Sequence, residues 1–217
     1  MEDFNIFKTS AMILSLVVAI VGHEIMHGWT AYKYGDNTAK SQGRLSINPI
    51  VHIDPLGTIL VPAILYFTGA PFLFGWAKPV PIRMDIVINN GGFMAGVWVS
   101  MAGIFYNLLI ALVAVTILTS VQFYEGADFT AFIGYFLLFT LLYNVVLAVF
   151  NAYPIPPLDG ANALSYLGLQ FGTTKIIEWN QKIGMYGMII LMIILSVPVL
   201  KNIFFYPVIL VLDLFLK

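Results

Sequence analysis

Two stretches of this chain, residues 86–124 and 129–158, contain no Asp, Glu, Lys or Arg. Each is longer than the roughly 20 apolar residues that carry a helix through a bilayer. Residues 9–32 hold a single such charge, Glu24, while 183–200 and 202–212 hold none. The whole chain of 217 residues is 60% hydrophobic and 10% charged, whereas a soluble domain averages about a quarter charged. The pattern predicts an all-α polytopic membrane protein with about five transmembrane helices, near 5–33, 92–121, 130–152, 179–198 and 202–216. It reads as one domain over 1–217, with a core at about 5–165 and C-terminal helices at about 174–217. A net charge of −1 offers no basic surface to nucleic acid. The absence of cysteine excludes disulfides and thiolate metal sites, which leaves histidine and carboxylate as metal ligands. The acidic start "MEDFNIFK" and the lack of a small-residue cleavage site argue against a removed signal peptide.

Inside the first apolar run stands "VAIVGHEIMHGWTAY", residues 18–32. Ionisable groups at mid-membrane each cost a few kcal/mol by insertion scales, and here there are three within five positions. His23 and His27, four apart, share one helix face and can meet one ion. Glu24 projects about 100° away, within reach of a water at that ion. His-Glu-x-x-His is the zincin pattern, in which two imidazoles hold zinc and the glutamate takes a proton from water. An ordinary buried histidine satisfied by a carbonyl would account for one such residue, not for three at this spacing.

A catalytic zinc needs a third protein ligand and an open position. One other histidine, His52, is present, and most remaining carboxylates lie in polar segments. Asp54 and Asp159 stand out. Asp159 closes "FNAYPIPPLDGANAL", 150–164. Its prolines break a helix and leave carbonyls unpaired, a feature tolerated at membrane depth where it lines a cavity. Gly160 lets the chain approach a ligand closely. As turn chemistry alone, the same segment is an ordinary loop.

"HEIMH" at 23–27 and "NAYPIPPLDG" at 151–160 together resemble the site-2 protease family of intramembrane zinc metalloproteases. "GRLSINPIVHIDPLGT" at 43–58 and "FGWAKPVPI" at 74–82 resemble the small bacterial members without PDZ or CBS domains. The resemblance covers residues 22–160. It implies one zinc ion per chain held by His23, His27 and Asp159, with Glu24 as general base. It also implies Asn151 as the group that holds the substrate carbonyl or its oxyanion. Gly103 and Asn107 match a Gly-x-x-x-Asn element, with Ile104 where relatives often carry proline. As plain packing features, Gly103 would serve close helix approach and Asn107 a helix–helix hydrogen bond. His52 and Asp54 read more simply as part of a turn between Pro49 and Pro55 than as an alternative ligand pair.

A shared ion requires the first and third core helices to run parallel, with the 92–121 helix crossing once between them. The stretch 34–90 must then begin and end on one side. The apolar segment 56–70, interrupted by Pro62, should therefore re-enter or lie along the surface, partly as strands. Lys33, Lys40, Arg44, Lys78, Arg83, Lys175 and Lys182 fall on that side, which the positive-inside rule makes cytoplasmic. Lys8 and Lys201 fall on the other. The 122–129 loop carries Glu125 and Asp128 without a basic residue.

The resemblance implies hydrolysis of peptide bonds in or near transmembrane segments of membrane proteins, in the inner membrane of a bacterium. It also implies that any regulator is a separate protein, and the oligomeric state stays open. Two rival classes are a metal- or proton-coupled transporter, which would show internal repeats, and an inactive zinc-binding scaffold, which would lack Glu24 or a third ligand.

Overall fold

The computed structural model describes residues 6–69, 75–120 and 129–216. The start "MEDFN", Phe74 and the acidic loop before Phe129 lie outside them. The main helices are α1 (Ile6–Lys33), α2 (Thr38–Ser41), α3 (Val61–Phe67), α4 (Met84–Ser120), α5 (Phe129–Ala152), α6 (Asp159–Gln170), α7 (Lys175–Ser196) and α8 (Pro198–Leu216). No described residue is in a strand. The protein is an all-α polytopic membrane protein.

Four helices, α1, α4, α5 and α8, are long and apolar enough to cross a membrane. The expected fifth, α7, has the length, at 22 residues, but its first two turns carry Lys175, Glu178 and Lys182. It packs along α6 and against the proline-rich loop: Asn180 Nδ2 donates to the Ala161 carbonyl at 3.2 Å, and Leu191 clusters with Leu158 and Phe204.

Lys201 is displaced accordingly from its expected place. The start of α8 lies beside the end of α5, where Tyr153 Oη donates to the Phe204 carbonyl at 2.6 Å. Lys201 therefore joins the end of the bundle that carries the other basic residues. From there α8 runs back along α5, with Val208 set among Leu137, Leu141 and Val145.

The core consists of α1, α4 and α5, each packed on the other two. Antiparallel α1 and α4 are bonded at successive levels, His27 to Val99, His23 to Asn107 and Tyr106 Oη to the Val18 carbonyl. Helix α5 runs parallel to α1, tied by Ser15 Oγ to the Phe136 carbonyl at 2.8 Å and by Thr140 Oγ1 to Ser15 Oγ. Helix α4 begins eight positions earlier than the sequence suggested. It bends at Gly92, whose φ of 68° lies in the left-handed region that glycine adopts at little cost. The expected start at residue 92 is this bend, and 84–91 forms a short helical lead-in.

The ambiguous segment is helical. A π-helical turn at Pro55–Leu60 leads into α3. Pro62, with no N–H to give, sits in the first turn of α3. Asp54 caps this piece by accepting from Leu56 N at 2.8 Å and Gly57 N at 3.0 Å. The chain then returns to its starting level, for Trp76 N donates to the Gly57 carbonyl at 3.1 Å and Thr58 Oγ1 to the Trp76 carbonyl at 2.8 Å. Asp36 closes the longer loop. Its Oδ2 accepts from Arg83 N at 2.7 Å and its Oδ1 from Thr38 N at 2.9 Å. Burial opposes the charged form of Asp36, but these hydrogen bonds and nearby Arg83 prevail and hold its carboxyl below the usual carboxylate range. The end of α1 and the start of α4 are thus fastened at one level. Because the chain lacks cysteine, single cysteines placed at Lys40 and Arg83 are expected to react with a membrane-impermeant maleimide from the same face. Labelling from opposite faces would contradict the fastening.

Candidate metal centre

His23 and His27 are buried on α1, one turn apart, and face α4 and the start of α6. Each ring is fixed through Nδ1. His23 Nδ1 meets Asn107 Oδ1 at 2.7 Å, and His27 Nδ1 meets the Val99 carbonyl at 2.7 Å. Both partners are acceptors, so both Nδ1 atoms carry a proton, and in the neutral form each ring then has its bare lone pair on Nε2, the atom that faces the cluster. The Asn107 amide orientation is set in turn: its Nδ2 donates to the Ala19 carbonyl at 3.2 Å and to Asn144 Oδ1 at 2.8 Å. Asn144 Nδ2 donates to the Thr140 carbonyl at 2.8 Å. Both asparagines are fully buried, at 0% exposure. A relay of amides across α5, α4 and α1 therefore ends on one imidazole.

The proline-rich loop brings in the third group. At its end Gly160 passes so close to the Ala152 and Tyr153 carbonyls that a Cβ there would strike them. This close passage folds Asp159 back over the end of α5. Asp159 Oδ2 lies 3.1 Å from His23 Nε2 and 3.2 Å from His27 Nε2, and the two Nε2 atoms are 3.0 Å apart. Asp159 Oδ2 is buried and has no hydrogen-bond donor. Two lone pairs and a carboxylate oxygen crowded in this way repel one another unless a cation sits among them. Ligands at 2.0–2.1 Å in a tetrahedral zinc site stand about 3.3–3.4 Å apart, close to the separations found. The donor set therefore fits zinc, with three protein ligands and a fourth position open.

Gly103 is the floor of this arrangement. A Cβ there would overlap His23 Nδ1 and Cε1 and His27 Nε2, so only glycine lets α4 approach both imidazoles. Both bland readings of the Gly-x-x-x-Asn element hold as packing facts, and the same two residues also shape and orient the ligands.

Glu24 is not one of the clustered groups, and its Oε2 accepts from Val80 N at 2.9 Å. The strap that supplies this N–H, Gly75–Arg83, leads from the Pro55–Phe67 piece to α4. It is bonded through Lys78, whose N donates to the His52 carbonyl at 2.9 Å and whose carbonyl accepts from Arg44 Nη2 at 2.8 Å. Asn151 lies in the last turn of α5, with Nδ2 donating to the Leu147 carbonyl at 3.0 Å, so one of its two amide hydrogens is engaged. His52 and Asp54 do not join the cluster. His52 Nε2 bonds the Ser46 carbonyl at 2.9 Å, and Asp54 is a turn cap. Asn144, Val80, Arg44 and the Val99 carbonyl escaped the sequence reading.

A cavity of about 710 Å³ is lined by Val17 and Ile20 of α1, in the turn before His23, by Trp76 of the strap and by Leu147 and Phe150 of α5, in the turn before Asn151. It is almost wholly apolar, and Lys201 is the one charged side chain among its lining residues.

Two curated proteins resemble the chain along most of its length. "Putative zinc metalloprotease YwhC" of Bacillus subtilis is 34% identical over 204 residues, covering 91% of this chain and 87% of its own. "Putative zinc metalloprotease Rip2" of Mycolicibacterium smegmatis is 25% identical over 200 residues, covering 89% and 70%. No family model matches the chain, and no solved structure does.

Replacement of His23 or Asp159 by alanine is expected to abolish stoichiometric zinc in the purified protein. Gly103→Ala and Asn107→Ala are expected to weaken zinc binding about 10- to 100-fold, measured by competition with a chromogenic chelator. Wild-type affinity in Gly103→Ala would show that α4 is not pressed against the ligands.

Proposed function

The chain belongs to the zinc metalloprotease family of YwhC and Rip2, and on that premise we propose that it cleaves peptide bonds in or near the membrane-spanning segments of other membrane proteins, as a site-2-type protease. The observation that carries this reading is position. Both imidazoles belong to a helix of membrane-spanning length and composition, and the carboxylate reaches them from a loop folded back over the end of another. A substrate must therefore come to the ligands within the bundle, and the apolar cavity lined by α1, the strap and α5 suits an apolar segment.

Zinc held by His23, His27 and Asp159 would make hydroxide available near neutral pH and polarise a carbonyl. Glu24 takes the proton of the attacking water and passes it to the leaving amine. The second amide hydrogen of Asn151 is the neutral donor for the carbonyl oxygen as its charge grows, a stabilisation that gains strength in a water-poor site. A helical substrate hides its carbonyls in its own hydrogen bonds, so it must unwind before it can react. The apolar cavity receives the unwound stretch. In this reading the basic end of the bundle, now including Lys201, faces the cytoplasm of a bacterial inner membrane.

The test uses purified protein in detergent micelles and a fluorescent single-span fusion whose apolar segment is broken by a Gly-Ser pair. Glu24→Gln is expected to lower cleavage by about 10²–10⁴-fold while the zinc content stays at one per chain. Equal cleavage by wild type and Glu24→Gln would reject the reading.

A further inference from the structure

Arg44 has no role in the chemistry above, yet it is buried, at 7% exposure. A guanidinium stays charged at any physiological pH. Interior cations are normally paired with a carboxylate, and among the described residues none pairs with Arg44. Its Nε is buried without a partner. Among the described residues its guanidinium makes one hydrogen bond, from Nη2 to the Lys78 carbonyl. The opposite side of the same residue is held as well, because Lys78 N donates to the His52 carbonyl. Two positions on, Val80 N donates to Glu24 Oε2. Pro79 and Pro81 stand on either side of Val80 and fix φ there, so a strap clamped at Lys78 delivers the Val80 N–H with little slack. Val80 is itself buried, against the α1 turn at Gly28, where its Cγ1 would meet any added Cβ.

We propose that Arg44 is a positioning residue for the general base. It clamps the strap at Lys78 so that the Val80 N–H fixes the Glu24 carboxylate through Oε2 and leaves Oε1 to exchange the proton. The charge on Arg44 matters because a charge-assisted bond to a carbonyl is stronger than a neutral one, and a glutamate left unheld has several rotatable bonds to wander through. The part of this proposal that concerns proton transfer rests on the protease reading; the clamp itself does not.

The experiment takes the full chain, zinc-loaded in micelles, as wild type, Arg44→Gln, Arg44→Lys, Val80→Pro and the Arg44→Gln/Val80→Pro double variant. Hydrogen–deuterium exchange reads the clamp without any substrate. Arg44→Gln is expected to speed exchange across residues 76–82 about tenfold while α1 and α4 keep wild-type protection. With the single-span fusion, kcat is expected to fall roughly ten- to a hundredfold, with KM and zinc content unchanged and Arg44→Lys recovering part of the loss. The double variant should be no slower than Val80→Pro alone, because both act through one N–H. Wild-type exchange of the strap in Arg44→Gln overturns the proposal. So does loss of zinc in step with kcat, or full additivity in the double variant. Equal cleavage by wild type and Glu24→Gln counts against the protease reading instead, and the exchange result then still decides whether Arg44 clamps the strap.

Discussion

Both imidazoles of α1 keep their Nε2 lone pairs inward because α4 takes their Nδ1 protons, one through Asn107 Oδ1 and the other through the Val99 carbonyl. Much of the architecture follows from this pairing. It demands that α1 and α4 lie within hydrogen-bond reach at two levels, which Gly103 permits by having no side chain. It demands that Asn107 hold a single orientation, which Asn144 and the Ala19 carbonyl enforce. The core of this protein is therefore aligned by polar bonds. Apolar contact gives helices in lipid little reason to prefer one register over another, whereas interhelical hydrogen bonds do. The amide relay is register control and ligand orientation in one device.

The loops serve the same end. Asp36 ties the start of α4 to the end of α1, and Trp76 ties the strap back to Gly57. A chain that leaves α1 at residue 33 thus returns to α4 at the level it left. Both ties use backbone N–H donors, so they hold the path of the chain without calling for particular side chains at Trp76 and Arg83.

Much of this was legible before any coordinates. The uncharged runs located α1 and α5 to within a residue or so. The spacing of His23, Glu24 and His27 pointed to a metal site, the resemblance added Asp159, and the structure brings His23, His27 and Asp159 together. Parity of crossings alone required residues 34–90 to come back to one side. Other features were hidden for physical reasons. Val80 and Val99 act through backbone atoms, and any residue other than proline at Val80 has an N–H to offer. Asn144 matters because of the residue it faces across two helices, which no local pattern encodes. Helix α7 was expected near 179–198 and forms at Lys175–Ser196; Lys175, Glu178 and Lys182 keep it below the other four in hydropathy. The polar lead-in of α4, 84–91, lies before the Gly92 bend, where the sequence pattern placed the start of the helix.

The order of the ligands along the chain has a consequence for biogenesis. His23, Glu24 and His27 lie on α1, which is synthesised before α4, α5 and α6. Asn107, Asn144 and Asp159 follow only with α4, α5 and the start of α6. For most of translation the first helix must stay in lipid with three ionisable groups and no partner from the later helices, and its exposed Trp29 and its Lys33, stacked together near its end, give it an interfacial anchor during that wait. A complete set of ligands exists only once residue 159 has folded back over α5. On the proposed ligand set, metal loading waits for the later helices, and a chain truncated before residue 159 would insert its helices without a finished site.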